Sequence, residues 1–207
     1  MSKKCVIYDL DGTVLDTEEM NFIPLQKLIK EELNKDIEYE DLLKYRANAG
    51  LKTIEELGFS DIEGSYKKWV RYVNEYEKGA KLYENFDKVI EEVSKMGIIQ
   101  GIASSKMRKQ YEIDFYDTGL HKYMECEVLA EDTEKHKPDP DPILKALELL
   151  NINPSEALYV GDTESDMRAS KEAKVEFALA KWGCIDVDKV KADYYLDEPE
   201  DLLKILK

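Results

Sequence analysis

The stretch KCVIYDLDGT, residues 4–13, joins a short apolar run to an acidic turn. Val6, Ile7 and Tyr8 are strand formers with no polar alternation, the pattern of a strand buried on both faces. Asp9 and Asp11 end the run, and Gly12 supplies the bend that follows. Five similar runs recur: GIIQGIA at 97–103, CEVL at 126–129, ALYVG at 157–161, VEFALA at 175–180 and DYYL at 193–196. Between them apolar residues fall at helical spacing, as in Phe86, Val89, Ile90, Val93 and Met96, and again in Ile143, Leu144, Leu147 and Leu150. Strands alternating with helices predict an α/β domain with a parallel sheet covered on both faces.

Residues 17–80 break this rhythm. Leu25, Leu28, Ile29 and Leu33 mark one helical stripe, and Leu42, Leu43 and Tyr45 a second. Ile54 to Leu57 suggest a third helix stopped at Gly58, and Trp69, Val70, Val73 and Tyr76 a fourth closed by Gly79. Pro24 is expected to start or bend the first helix, because its ring is strained in a helix interior. The expected organisation is therefore a core domain made of residues 1–16 and 81–207, with an all-helical insert over residues 17–80. The hinges are expected near Asp16–Glu18 and Gly79–Tyr83.

Composition excludes several classes. The chain has 207 residues, with 45 Asp and Glu against 30 Lys and Arg, a formal net charge of −15. Such a balance argues against nucleic acid and against anionic membrane surfaces, both of which select basic patches. No apolar run approaches the ~20 residues of a membrane span. Only CVIYDL separates the basic N-terminus from Asp11, too short and too soon charged for a secretory signal. Cys5, Cys126 and Cys184 have no pairing or metal-site spacing, which fits a reducing cytoplasm.

In an open α/β sheet, ligands bind at the carboxyl ends of the strands. Four segments stand at or near such ends: YDLDGTVLD with Asp9, Asp11, Thr13 and Asp16, then Ser104–Ser105, then HKPDPDP with Lys137, then YVGDTESD with Asp162 and Asp166. Carboxylates converging at strand ends repel one another and call for a cation, and an all-oxygen donor set suits Mg2+. A carboxylate can also attack phosphorus, splitting one displacement into two. Ser or Thr hydroxyls and a Lys ammonium can hold phosphate oxygens. Singly, each segment has a plainer explanation: Asp-Gly as a turn, KPDPDP as a helix start, Ser104 as an N-cap. Together, in this order, they point to metal-assisted phosphoryl transfer.

DLDGTVLD, Ser104, Lys137 with KPDPDP, and GDTESD together resemble the four motifs of the haloacid dehalogenase superfamily. KWGC at 181–184 and the C-terminal ADYYLDEPEDLLKIL resemble the endings of its phosphoglycolate-phosphatase-like branch. The resemblance spans nearly the whole chain. It implies a Rossmann-like core with a helical cap, Mg2+ as cofactor, and a small phosphorylated metabolite such as phosphoglycolate, a sugar phosphate or pyrophosphate as substrate. It implies Asp9 as nucleophile and Asp11 as general acid and then base. Asp9, the Asp11 carbonyl and Asp162 would hold the metal, with Asp166 supporting directly or through water. Ser104 and Lys137 would hold the phosphoryl group, with Thr13 ordering the first loop and Ser105 nearby. Within the insert, Arg46, Gly50 and Lys52 are candidates for substrate contact, against the plainer reading of a solvated helix face. His121 and His136 are expected in surface or turn positions. One departure is Tyr83-Glu84-Asn85, where the branch leads one to expect a Pro-Gly pair.

Two other functions fit the same residues. A β-phosphoglucomutase-like phosphomutase would move rather than release phosphate, though Thr13 in the DGT triplet favours hydrolysis. A phospho-acceptor module would keep a long-lived phosphate on Asp9, but Asp11 and the insert speak against it. The expected assembly is a monomer or homodimer.

Overall fold

The computed structural model describes residues 3–45 and 50–207. In chain order the elements are β1 (Cys5–Tyr8), β2 (Leu15–Asp16), α1 (Glu18–Leu33), α2 (Tyr39–Leu42), α3 (Gly50–Glu56), α4 (Ile62–Asn74), β3 (Lys81–Leu82), α5 (Phe86–Lys95), β4 (Ile99–Ala103) and α6 (Arg108–Asp114). They continue with β5 (Cys126–Val128), α7 (Asp141–Leu150), β6 (Ala157–Gly161), α8 (Glu164–Glu172), β7 (Glu176–Ala180), β8 (Tyr194–Leu196) and α9 (Asp201–Leu206). The chain divides into two compact units, one of Met1–Asp16 with Lys81–Lys207 and one of Thr17–Ala80.

The first unit is built on a six-stranded sheet of order β5-β4-β1-β6-β7-β8, with every pairing parallel. All six strands follow from the apolar runs of the sequence. β1 lies at the centre, with Tyr8 opposite Ile102 of β4 and Val160 of β6. The chain fills the β4 side first and the β6 side later. The order therefore reverses at β1, and the crevice beyond its carboxyl end is where such sheets take ligands. β1 alternates faces. Cys5 and Ile7 join a core with Ile143, Ala146 and Leu147 of α7 and Ala169 of α8. Tyr8 turns the other way and meets Phe86 of α5 edge-on, 5.9 Å between ring centroids. Its buried hydroxyl donates to Gln100 Oε1 (2.9 Å), and the Gln100 amide donates to the Ile90 carbonyl (3.1 Å). The buried Tyr8 hydroxyl and Gln100 amide therefore both have partners away from water. β2 and β3 form a separate two-residue antiparallel ribbon, Leu15 opposite Leu82.

The second unit has its own core, in which Leu25, Leu28 and Ile29 of α1 meet Leu42, Ile54 of α3 and Trp69 of α4. Full burial stabilises by about 1.5–3 kcal/mol for each large aliphatic side chain. The Trp69 indole N–H donates to the Asn21 carbonyl (2.8 Å). Asp61 caps α4 by accepting from the Gly64 N–H (2.9 Å). Pro24 does not start α1: it lies inside the helix, which begins at Glu18. The ring is tolerated near the helix start because the one amide it removes would have bonded the Met20 carbonyl, and burial of Phe22, Leu25 and Leu28 offsets that loss. Gly50, a candidate for substrate contact, has a packing reason of its own, since a Cβ there would lie 2.4 Å from the Tyr66 ring. Among the described residues no helix is long and apolar enough to cross a membrane, and all three cysteines are free thiols.

Candidate active site

The loop after β1 is folded around one carbonyl. The amides of Thr13, Val14 and Leu15 all donate to the Leu10 oxygen (3.1, 2.9 and 2.8 Å), and the Gly12 N–H donates to the Leu15 carbonyl (2.9 Å). This tight wrap needs φ +77° at Gly12, and a Cβ there would sit 2.2 Å from Asp162 Oδ2. The loop is pressed from the β7 side as well. Trp182 donates its indole N–H to the Thr13 carbonyl (2.9 Å) while packing on Phe86 and Tyr83. Gly183 comes so close that a Cβ on it would fall 1.8 Å from the Gly12 carbonyl oxygen. That neighbour is backbone and cannot rotate away. Gly183→Ala is therefore expected to displace the loop, lowering Tm and cutting kcat by about 10- to 100-fold, since misplacement by 1 Å has costs of that order. Thermal melts and steady-state kinetics of the variant check it.

Asp9 begins this loop, anchored by its N–H to the Val160 carbonyl (2.9 Å). Asp9, Asp162 and Asp166 are buried, and one carboxylate oxygen of each lies within 4.8 Å of the others. Lys137 sits among them, its ammonium 2.9 Å from Asp9 Oδ1 and 2.6 Å from Asp166 Oδ1. Tyr159 closes the underside: its hydroxyl accepts from Lys137 (3.1 Å) and donates to the Ala103 carbonyl (2.8 Å). Asp166 is also the N3 residue of the α8 capping box, where its Oδ2 accepts from the Thr163 N–H and hydroxyl (3.0 and 2.6 Å). Both of its oxygens are thus engaged. Asp162 accepts on Oδ1 from the buried Thr13 hydroxyl (3.1 Å).

Burial pushes the Asp9 carboxyl up to about 6, and Asp166 and Asp11 add to the rise, although Lys137 opposes it. Burial raises Asp162 well above the ordinary carboxylate range, helped by Asp166 and Asp9. Lys137 goes the other way from what its burial favours, because Asp166 and Asp9 hold it charged. One ammonium against three buried carboxylates leaves negative charge uncompensated. An all-oxygen cluster with that surplus fits a hard divalent cation such as Mg2+.

The surplus has a consequence for stability. Asp9 and Asp162 have folded-state values above their unfolded ones, so the folded chain binds more protons than the unfolded chain across that interval. Their contribution is neutral below pH ~4, where both states are protonated, and destabilises as pH rises through the Asp9 value near 6. In metal-free buffer, denaturation midpoints are expected to fall between pH 5 and 7.5, and Mg2+ to restore more stability at pH 7.5 than at pH 5. A midpoint that does not fall, or falls equally with Mg2+ present, contradicts this.

Asp11 points to a second node. Its Oδ1, shielded from solvent, lies 2.9 Å from the Lys106 ammonium. Lys106 is buried and also pairs with the buried Asp114 (2.6 Å), whose two oxygens accept from the Gln110 amide at 3.0 Å each. Burial would lower Lys106, but Asp11 and Asp114 outweigh it and raise it. Ser104, at the end of β4, is buried and accepts the Lys106 N–H on Oγ (3.3 Å), which leaves its hydroxyl proton to donate. It is not an N-cap, because α6 starts at Arg108. Ser105 is an exposed bend residue.

The structure thus gathers Asp9, Asp162, Asp166, Lys137 and Thr13 in one cluster, with Asp11 and Ser104 at the ends of the same central strands. Lys52 lies on α3 of the other unit, paired with Glu56 (3.6 Å) and 59 % exposed. Arg46 falls outside the described residues. Lys106, Asp114, Gln110, Tyr159, Trp182 and Gly183 were not singled out as site residues in the sequence. Asn85 takes φ +64° at the start of α5, a conformation that Asn adopts more readily than most residues, so Tyr83-Glu84-Asn85 turns the chain as a glycine would.

A relative from Caldanaerobacter subterraneus subsp. tengcongensis, provisionally named pyrophosphatase PpaX, is 32 % identical over 100 % of this chain and 96 % of its own. Pyrophosphatase PpaX of Bacillus mycoides is 29 % identical over 100 % of this chain and 98 % of its own. A crystal structure from Lactobacillus plantarum, provisionally described as a phosphoglycolate phosphatase, superposes with a TM-score of 0.87 at 26 % identity, covering 99 % of this chain and 100 % of that one. The family model for haloacid dehalogenase-like hydrolases matches residues 6–180, and the chain belongs to that family.

Proposed function

We propose that the chain is a Mg2+-dependent phosphatase that hydrolyses a small phosphorylated metabolite through an aspartyl phosphate on Asp9. The observation that carries this reading is the Asp9 carboxylate, held 2.9 Å from Lys137 at the carboxyl end of the central strand and clustered with Asp162 and Asp166. Asp9 and Asp162, with the Asp11 carbonyl, would hold the metal. Asp166, both of whose oxygens are engaged, would support it from behind through Lys137 and the α8 cap. When bound, Mg2+ would neutralise the phosphoryl oxygens and let an anion approach anionic Asp9.

Asp9 attacks phosphorus, the bond from phosphorus to the leaving oxygen breaks, and Asp11 gives that oxygen a proton. Asp11, now ionised, takes a proton from the water that attacks the phospho-aspartate. Inorganic phosphate leaves and Asp9 is restored. Lys137 balances charge on Asp9 and the phosphoryl group throughout, and the Ser104 hydroxyl donates to a phosphoryl oxygen. The helical unit is assigned the family's substrate-selecting role, with Arg46 and Lys52 as candidate contacts, and Ser105, beyond β4 of the first unit, is a further candidate.

The names of the two relatives place pyrophosphate first on a test panel, followed by phosphoglycolate and sugar phosphates. With Mg2+, phosphate release from at least one of these is expected. A panel that yields no phosphate rejects the hydrolase assignment, and isomerisation of a hexose phosphate without release turns it toward the mutase.

A further inference from the structure

We infer that Lys106 is a positioning residue for Asp11: it holds one carboxylate oxygen so that the other is the atom that moves the proton. The inference rests on the acid–base role proposed for Asp11. An aspartate that is 40 % exposed, as the Asp11 side chain is, would ordinarily sample several rotamers. Here its Oδ1 is shielded and faces an ammonium at 2.9 Å, and Oδ2 is the oxygen we assign to the proton.

The ammonium is itself held from several directions. Asp114, whose side chain is fully buried, takes it at 2.6 Å, and the Gln110 amide fixes both Asp114 oxygens. The Lys106 backbone is tied at both ends, its N–H to Ser104 Oγ and its carbonyl to the Ala130 N–H (3.0 Å). The N-terminus of α6 is fixed in turn, since the Glu131 carboxylate accepts from the Arg108 N–H (3.0 and 3.1 Å). A buried lysine matched by a buried aspartate alone would be a structural pair, and often a poor one. A third partner on the exposed side, belonging to the loop of the nucleophile, gives this pair a direction. Proton transfer depends on where the carboxyl oxygen stands, so fixing that oxygen raises kcat without adding a substrate contact.

Lys106→Met alone leaves Asp114 buried without a counter-charge, so the paired variant Lys106→Met/Asp114→Asn carries the test, with melting curves checking its fold. Its kcat is expected to fall about 10- to 100-fold with KM within about threefold of wild type. Added to Asp11→Asn, the same pair is expected to lower the residual rate by less than about twofold, because nothing is left to position. A rise in KM, or full additivity with Asp11→Asn, overturns the inference. Crystal structures provide a readout independent of turnover. Asp11 is expected to leave its place in the paired variant while Asp9, Asp162 and Asp166 superpose. An unmoved Asp11 carboxylate rejects the positioning role even if no phosphate ester is a substrate. A displaced one supports the role even if the phosphatase reading fails on the panel.

Discussion

Asp9→Asn is expected to lower kcat by at least about 10³-fold while leaving the fold intact. The substitution keeps the shape of the side chain and removes only its charge and nucleophilicity. An amide oxygen attacks phosphorus poorly, and no second carboxylate stands in the same place: Asp162 is tied to Thr13, and Asp166 to Lys137, Tyr159 and Thr163. Loss of folding cannot account for the effect, because the expected change in metal-free stability at neutral pH has the opposite sign. Asp9 is a buried carboxyl pushed up to about 6, so its ionised form is a burden that Asn removes. The variant is therefore expected to melt no lower than wild type at pH 7.5 without metal, while phosphate release from the best substrate disappears. A variant retaining more than about a tenth of wild-type kcat would remove Asp9 from the nucleophile's role.

The β-structure was legible because a parallel sheet buried on both faces leaves unbroken apolar runs. ALYVG at 157–161 is β6 to the residue, and VEFALA contains β7. The β2–β3 ribbon left no trace, since two residues a side carry no period. Of the two expectations for Pro24, a helix start or a bend, the start is excluded, because the apolar stripe on α1 extends across it and packing decides. The site followed a similar division. Asp9, Asp11, Lys137 and Asp162 stood out only as a set, because each segment alone has a plain structural explanation and four of them in order at strand ends do not. Lys106 and Asp114 lie eight residues apart in an ordinary-looking amphipathic helix entry, and only the fold shows that both are buried and facing each other. Gly183 belongs to KWGC, whose glycine has no local reason. It must be glycine because a backbone oxygen 171 residues earlier in the chain, that of Gly12, occupies the place of its side chain. No reading of neighbours in sequence could supply that.

Lys137→Met is expected to cost both stability and activity, which sets it apart from Asp9→Asn. The stem is retained and only the ammonium is lost, so the packing against Tyr159 survives. What remains is three buried carboxylates with no cation from the chain, and an Asp166 oxygen and the Tyr159 hydroxyl each missing one partner. Removing one partner of a buried ion pair typically costs about 3–5 kcal/mol. The Asp9 and Asp162 carboxyls, which Lys137 now holds down against their burial, would rise further, so the loss should be larger at pH 7.5 than at pH 5. Mg2+ should return part of the stability, since a divalent cation can answer the same charge. It should not return the rate, because the bridge between Asp9 and Asp166, at 2.9 and 2.6 Å, is made by Lys137. A kcat about 10³-fold down at saturating Mg2+, with Tm partly recovered, is the expected pair of results, because the contact proposed between this buried charge and the phosphoryl group would be worth that order in the transition state. Full recovery of rate by Mg2+ would reduce Lys137 to a structural counter-ion.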